Sequence, residues 1–214
     1  MSLFVEAQAV PPFGANAYLV GDPESKKAIL IDPGGPVDAL LAALEREKLT
    51  PVAILATHAH IDHVAGVAEA KARLGVPFWL QSDDRRWLEG LDMQAAMFGF
   101  GRVEIPTVER WLEDRDAVRL GSLEGRVIHT PGHSPGSCCV FFEEAKALFS
   151  GDTLFVNAVG RTDLPGGSAR QLVASIRERL FPLGDGVRLY PGHGPPGLLG
   201  DERSGNPFVS ESAP

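Results

Sequence analysis

The heptapeptide Thr57-His58-Ala59-His60-Ile61-Asp62-His63 holds three of the chain's six histidines. It follows the apolar run Val52–Ala56 and precedes a helical pattern over Val64–Leu74. It therefore reads as a strand-to-helix loop, the kind of segment on which function concentrates. His58 and His60, at i and i+2, project to the same side of an extended chain. Asp62 and His63 turn into the first helical turn and face the same cavity. Imidazole and carboxylate together suit zinc, iron or manganese.

Three further residues repeat this setting. His133 lies in Thr130-Pro131-Gly132-His133-Ser134, after the run Arg126–Ile128. Asp152 lies in Ser150-Gly151-Asp152, after Ala147–Phe149. His193 lies in Pro191-Gly192-His193-Gly194, after Val187–Tyr190. In each case an apolar run meets a Gly-bearing turn that ends in a metal-competent side chain. Such turns at the same ends of neighbouring strands converge on one crevice. Five histidines and two aspartates exceed a closed structural zinc site and match two cations sharing a carboxylate. His129, the sixth histidine, precedes the Thr130-Pro131-Gly132 turn. It is expected to hydrogen-bond behind the ligands and not to bind metal.

The rest of the chain bounds the fold. With 214 residues, 44% hydrophobic and 22% charged, it reads as a globular domain with ample core. Short apolar runs at Phe4–Val10, Ala17–Val20, Ala28–Ile31, Val52–Ala56, Phe78–Leu80, Val127–Ile128, Cys138–Phe142, Ala147–Phe149 and Val187–Tyr190 predict buried strands. Helical periodicity covers Val37–Glu47, Val64–Leu74, Asp83–Leu91 and Ala169–Leu180. Strands and helices alternate, so the class is α/β or α+β with layered sheets, in one domain over residues 1–214. Residues 196–214 are polar and turn-rich and predict a surface tail, partly ordered at most. A net charge of −8 argues against nucleic acid. No apolar run is long enough for a membrane helix, and Met1–Val10 has no signal-peptide pattern. The two cysteines are adjacent, Cys138 and Cys139. They are expected as reduced thiols, which points to the cytoplasm.

Taken in order, THAHIDH, an isolated histidine, GD and PGHG resemble the metallo-β-lactamase superfamily. The resemblance runs from the Asp32-Pro33-Gly34-Gly35 turn to His193. It implies a four-layered αββα sandwich with metals at the sheet edge. Within that superfamily, His129–Ser137, Ser150–Phe155 and Gly160–Gly167 resemble the short bacterial glyoxalase II-related proteins, which hydrolyse S-acylglutathione thioesters. The resemblance implies one divalent cation at His58, His60 and His133 and a second at Asp62, His63 and His193, with Asp152 bridging. The cations would be zinc, iron or manganese. Water acidified there attacks the thioester carbonyl as hydroxide, Asp62 orients it, and Asp62 and Asp152 are the catalytic carboxylates. The thiolate leaves without a general acid, because its conjugate acid has a pKa of about 8.5. The partner is thus a small-molecule thioester. Glyoxalases II carry a helical C-terminal extension with basic and tyrosine residues that hold glutathione. Here about twenty residues follow His193 and the chain has two tyrosines, so the carrier thiol stays open.

Two other readings remain at this level. A persulfide dioxygenase would use one iron on His58, His133 and Asp152 and shares a stretch like Gly160-Arg161-Thr162-Asp163. A non-catalytic metal-binding module is the third. Arg161 and Asp163 either position substrate or pin their loop as an ion pair. Trp79, Trp87 and Trp111 read as packing, Asp32 as a tight turn beneath the metal site, and Ser168 as a helix cap. Metal identity, acyl group and oligomeric state are not encoded in these patterns.

Overall fold

Buried side chains on both faces of the central strands dictate a layered structure. Along Ala15–Gly21, Ala17 and Leu19 enter one apolar cluster while Tyr18 and Val20 enter another. The computed structural model, which describes residues 3–210, resolves this alternation into two six-stranded sheets. In the first, β1 (Phe4–Val10), β2 (Ala15–Gly21) and β3 (Lys27–Ile31) are antiparallel neighbours. They continue into β4 (Thr50–Leu55), β5 (Phe78–Gln81) and β6 (Arg110–Leu112), which run parallel to β3. The second sheet has the order β14 (Gly197–Leu198), β13 (Arg188–Pro191), β10 (Ala147–Gly151), β9 (Cys138–Phe142), β8 (Leu123–His129) and β7 (Ala117–Leu120). Its strands are antiparallel except for the β10–β13 pair. A small hairpin pairs β11 (Leu154–Phe155) with β12 (Ala158–Val159).

Three apolar clusters fill the spaces between layers. One lies between the first sheet and α1 (Asp38–Glu47), with Leu40, Leu41 and Leu44 against Leu19, Leu30 and Ile54. The second joins the sheets, with Ile29, Ile31 and Leu55 facing Val127, Val140 and Phe149. The third packs Ile128, Phe141 and Leu148 against Leu172, Ile176 and Leu180. Those residues belong to α6 (Ala169–Ser175) and the π-helical turn Ile176–Leu180 that extends it. The layering is the four-layered αββα sandwich. Each fully buried Leu, Ile or Phe contributes roughly 1.5–3 kcal/mol.

Several elements differ from the sequence reading. β1 is an edge strand with half-exposed and exposed positions, not a buried one. The pattern over Val64–Leu74 is split into α2 (Ile61–Val64) and α3 (Val67–Leu74). The break falls at Gly66, where any Cβ would collide with the Gly35 carbonyl. Asp83–Leu91 becomes α4 (Arg85–Glu89), followed at once by α5 (Leu91–Phe98). The segment from residue 196 onward is not a loose surface tail. β14 leads into α7 (Leu199–Gly205), and Leu199, Glu202, Asn206 and Val209 are buried. Residues 211–214 of the expected tail lie outside the described residues. Ser168 caps α6 as expected, its Oγ accepting from Gln171 N at 3.3 Å. Cys138 and Cys139 are buried and unbridged. No described helix is long and apolar enough to cross a membrane.

Candidate metal centre

The parallel strands deliver their C-terminal ends to one edge of the sandwich. Asp32 follows β3 with φ 53°, His58 follows β4, Asp152 follows β10 and His193 follows β13. Asp32 is 1% exposed. Its carboxylate accepts from Thr57 N at 2.6 Å and from Thr57 Oγ1 at 2.7 Å, and lies 3.0 Å from His63 Nδ1. The tight turn thus fixes both ends of the His-rich loop. Gly192 brings backbone against the site, since a Cβ there would collide with Asp152 Oδ1.

Hydrogen bonds determine which ring nitrogens are free. Thr57 spends its proton on Asp32, so its Oγ1 accepts from His58 Nδ1 at 3.1 Å and leaves His58 Nε2 with a lone pair. His133 Nδ1 donates to the Arg161 carbonyl at 2.8 Å, which frees His133 Nε2. His63 Nδ1 donates to Asp32 and turns Nε2 towards Asp152 and the site. His60 presents Nδ1, 2.8 Å from His133 Nε2, and His58 Nε2 lies 3.2 Å from the same atom. Two acceptor nitrogens with His60 Nδ1 beside them make a donor set that suits a cation.

The donors form overlapping groups. His58, His60 and His133 make one, Asp62, His63 and His193 another, and His58, His63 and Asp152 a third, each with its ligand atoms within 4.8 Å of one another. Asp152 reaches both sides, with Oδ1 3.3 Å from His63 Nε2 and Oδ2 3.6 Å from His133 Nε2 and 3.5 Å from His193 Nε2. Asp62 Oδ2 lies 3.2 Å from His193 Nε2. His63 Nε2 and Asp152 Oδ1 are buried without a hydrogen-bond partner, as expected of ligand atoms awaiting a cation. These residues fit two cations.

Charge is divided between the two halves. Burial, reinforced by the neighbouring His63, His60 and His133 rings, holds His58 well below the usual histidine range. Burial and His133 push His60 down to about 3. For His63, burial opposes protonation, but Asp152, Asp62 and Asp32 outweigh it and raise the pKa. His193 is raised likewise, against burial, chiefly by Asp62 and Asp152. Burial disfavours ionised Asp62 and Asp152, yet the adjacent histidines hold both below the usual carboxylate range. The site thus sets His58 and His60, held neutral, against a carboxylate-rich group on the other side.

The cluster floors a cleft of about 740 Å³. His60, Asp62, His133, Asp152 and His193 line its base, and Trp87, Arg86 and Arg161 are among its walls.

The family model described as the metallo-β-lactamase superfamily matches residues 10–193. This chain belongs to the metallo-β-lactamase superfamily. It is 35% identical over 211 residues to the hydroxyacylglutathione hydrolase GloC of Haemophilus influenzae, covering 98% of this chain and 99% of that protein. The crystal structure of TTHA1623 in a di-iron-bound form is 41% identical, with a TM-score of 0.86 over 96% of this chain and 100% of that one. The crystal structure of the BLEG-1 B3 metallo-β-lactamase is 36% identical, with a TM-score of 0.89 over 96% of this chain and 99% of that one.

In this superfamily member, all seven predicted donors converge on the one site. His129 stays outside the clusters, its Nε2 donating to the Pro135 carbonyl at 2.8 Å in the loop that carries His133. Arg161 and Asp163 form an exposed two-point ion pair at 2.7 and 2.8 Å. Arg161 also lines the cleft, and its carbonyl orients His133. Three residues were not singled out as functional by the sequence. Asp84 is fully buried and accepts from Ala59 N at 2.8 Å, Ser134 Oγ at 2.8 Å and Gly136 N at 2.6 Å, tying the two ligand loops together. Gln94 accepts from Ile61 N at 3.0 Å and donates to Ala59 O at 3.1 Å. Trp87, read as packing, lies 4.5 Å from His60 ring to ring and lines the cleft. Only the short Ser-Asp-Asp turn at 82–84 and the helical pattern after it hinted at these supports.

Proposed function

We propose that this protein is a metal-dependent thioester hydrolase that binds two divalent cations. His58, His60 and His133 would hold one, Asp62, His63 and His193 the other, with Asp152 shared. The observation that carries this reading is the ring tautomers. His58, His63 and His133 each spend Nδ1 on a structural acceptor and turn Nε2 to the site, and His60 turns its Nδ1 there. Cations bound there lower the pKa of coordinated water towards about 7 and offset charge developing on a carbonyl oxygen. Asp62, at the base of the cleft and held ionised by His63 and His193 against burial, orients the attacking water through its carboxylate. Asp152 spans both halves and fixes their separation. Leaving groups differ in their need for a general acid. A thiolate needs none, whereas the amine of an amide does. The relative named for hydroxyacylglutathione hydrolysis supports a thioester.

The test is paired. Thiol release from S-lactoylglutathione is followed on zinc-loaded and iron-loaded protein, alongside oxygen uptake with glutathione persulfide and turnover of a chromogenic β-lactam. Thioester cleavage by the zinc form without oxygen uptake is the expected result. Oxygen uptake by the iron form with no thioester cleavage by either form would transfer the assignment to a dioxygenase. Preference for the lactam would give it to the activity in the BLEG-1 name.

A further inference from the structure

Seven large hydrophobic side chains are exposed among the described residues, and four of them, Phe13, Met93, Met97 and Phe98, line the one cleft above the metal centre. Met93 and Met97 are each 70% exposed and stand at i and i+4 on α5, one turn apart on one face. The opposite face, Leu91, Gln94 and Ala95, is buried. Phe13, on the turn between β1 and β2, meets Phe98 edge-on at 5.7 Å and Phe100 at 5.8 Å, so the wall continues from the helix onto the first sheet. An exposed apolar patch of this continuity marks a binding surface. Its lower edge is the candidate metal centre, which sets where the reacting carbonyl must lie.

We propose that this wall is the subsite for the acyl chain of the substrate, and that the enzyme favours thioesters with linear apolar acyl groups over the small, polar lactoyl group. This rests on the thioester-hydrolase reading above. A thioester has two halves. Biological carrier thiols are peptides or nucleotides, rich in charge and hydrogen-bonding groups, whereas the acyl chain is the half that gains by leaving water. The wall offers thioethers and aromatic rings. The cleft is also lined by two cations: Arg86, which has no ion pair among the described residues, and Arg161, which pairs with Asp163. Those suit an anionic carrier. Two methionines make the wall adaptable, so chain length is read as a gradient and not as one permitted length. The Met93–Met97 spacing of about 6 Å along the helix gives the wall a reach of several methylenes.

The experiment uses two substrate series on the metal-loaded enzyme. In one the thiol is fixed and the acyl group runs from acetyl through butanoyl and hexanoyl to octanoyl. In the other the acyl group is fixed and the thiol's alkyl chain lengthens. Calorimetry with non-hydrolysable thioether analogues of both series provides a readout independent of turnover. The expected result is a rise in kcat/KM of about two- to fourfold per acyl methylene, the upper figure matching about 0.8 kcal/mol per buried CH2. The slope should fall by half or more in Met93→Gln/Met97→Gln, with thioether affinity falling in parallel. A gradient that follows the thiol series instead would assign the wall to the carrier and overturn the inference. A flat acyl series would overturn it while leaving thioester hydrolysis intact. Chain-dependent thioether binding with no thioester cleavage would do the reverse, removing the hydrolase reading and keeping the apolar subsite. Sedimentation of both proteins covers the remaining occupant. A wild-type dimer that the double substitution makes monomeric, with a flat acyl series, would make the wall a contact between copies.

Discussion

Asp84 shows how one side chain can hold a site that it does not enter. Its carboxylate accepts from the loop carrying His58 and His60 and from the loop carrying His133. In Asp84→Asn one acceptor becomes a donor facing other donors. The expected loss is about 1–3 kcal/mol of stability, with metal content below the wild type, read by thermal melting and elemental analysis. Asp152→Ala should remove most metal and, on the proposed function, cut thioester turnover by at least ~100-fold, because its carboxylate reaches both halves of the cluster. His129→Ala should keep normal metal stoichiometry, since among the described residues that ring bonds Pro135 O and approaches Asp83, outside the donor clusters. Equal metal loss in the two variants would sink this division of labour. Burial raises the Cys138 thiol and pushes Cys139 up to about 11. At pH 8 about one Cys139 in a thousand is then thiolate, so native protein should resist iodoacetamide, with labelling rising steeply only on unfolding or at high pH. The seven donors were legible in the sequence because histidine is rare and each donor follows an apolar run. Asp84 and Gln94 were not, because they bond backbone groups 25 and 33 residues away, to which no local spacing points.

Elements were legible where an apolar run or a single helical face announced them, as in β9, matched at both ends, and α1. Elements without such a face were missed. The segment Leu91–Phe98 is apolar on both sides because one side faces a cleft, so periodicity does not mark it. Leu199–Gly205 is short and polar, yet it carries Leu199 into the outer core and Glu202 to Asn157 N at 2.8 Å. A chain ending at Leu198 would lose both Leu199 and Val209 from that core. The expected cost is about 3–6 kcal/mol, measured by urea denaturation of the shortened and full chains. A shortened chain of equal stability would restore the partly ordered surface tail that composition suggested.

The whole molecule is two sheets closed on one apolar interior, where Phe149 meets Tyr18 at 5.3 Å and stacks on Tyr190 at 4.9 Å. All three tryptophans belong to the first-sheet side, at Trp79 on β5, Trp87 on α4 and Trp111 on β6. Tryptophan fluorescence therefore reports one half and far-ultraviolet circular dichroism both. With the interior shared and the candidate metal ligands drawn from both sheets, the two signals should give coincident denaturation curves. Separate midpoints would mean halves that melt independently. The αββα order was implied by the resemblance carried by the His and Asp motifs, while the pairing of β10 with β13 was not legible, because long crossovers leave no trace in local pattern. The end of the sandwich away from the cleft has a practical use. Phe4 pairs with Gly21 there, and the Glu143–Lys146 turn joins β9 and β10 at that same end. An enzyme tethered to a bead or an electrode through either point would hold its cleft towards the flowing solution, whereas coupling through Asp83 or Arg86 would press the mouth against the support.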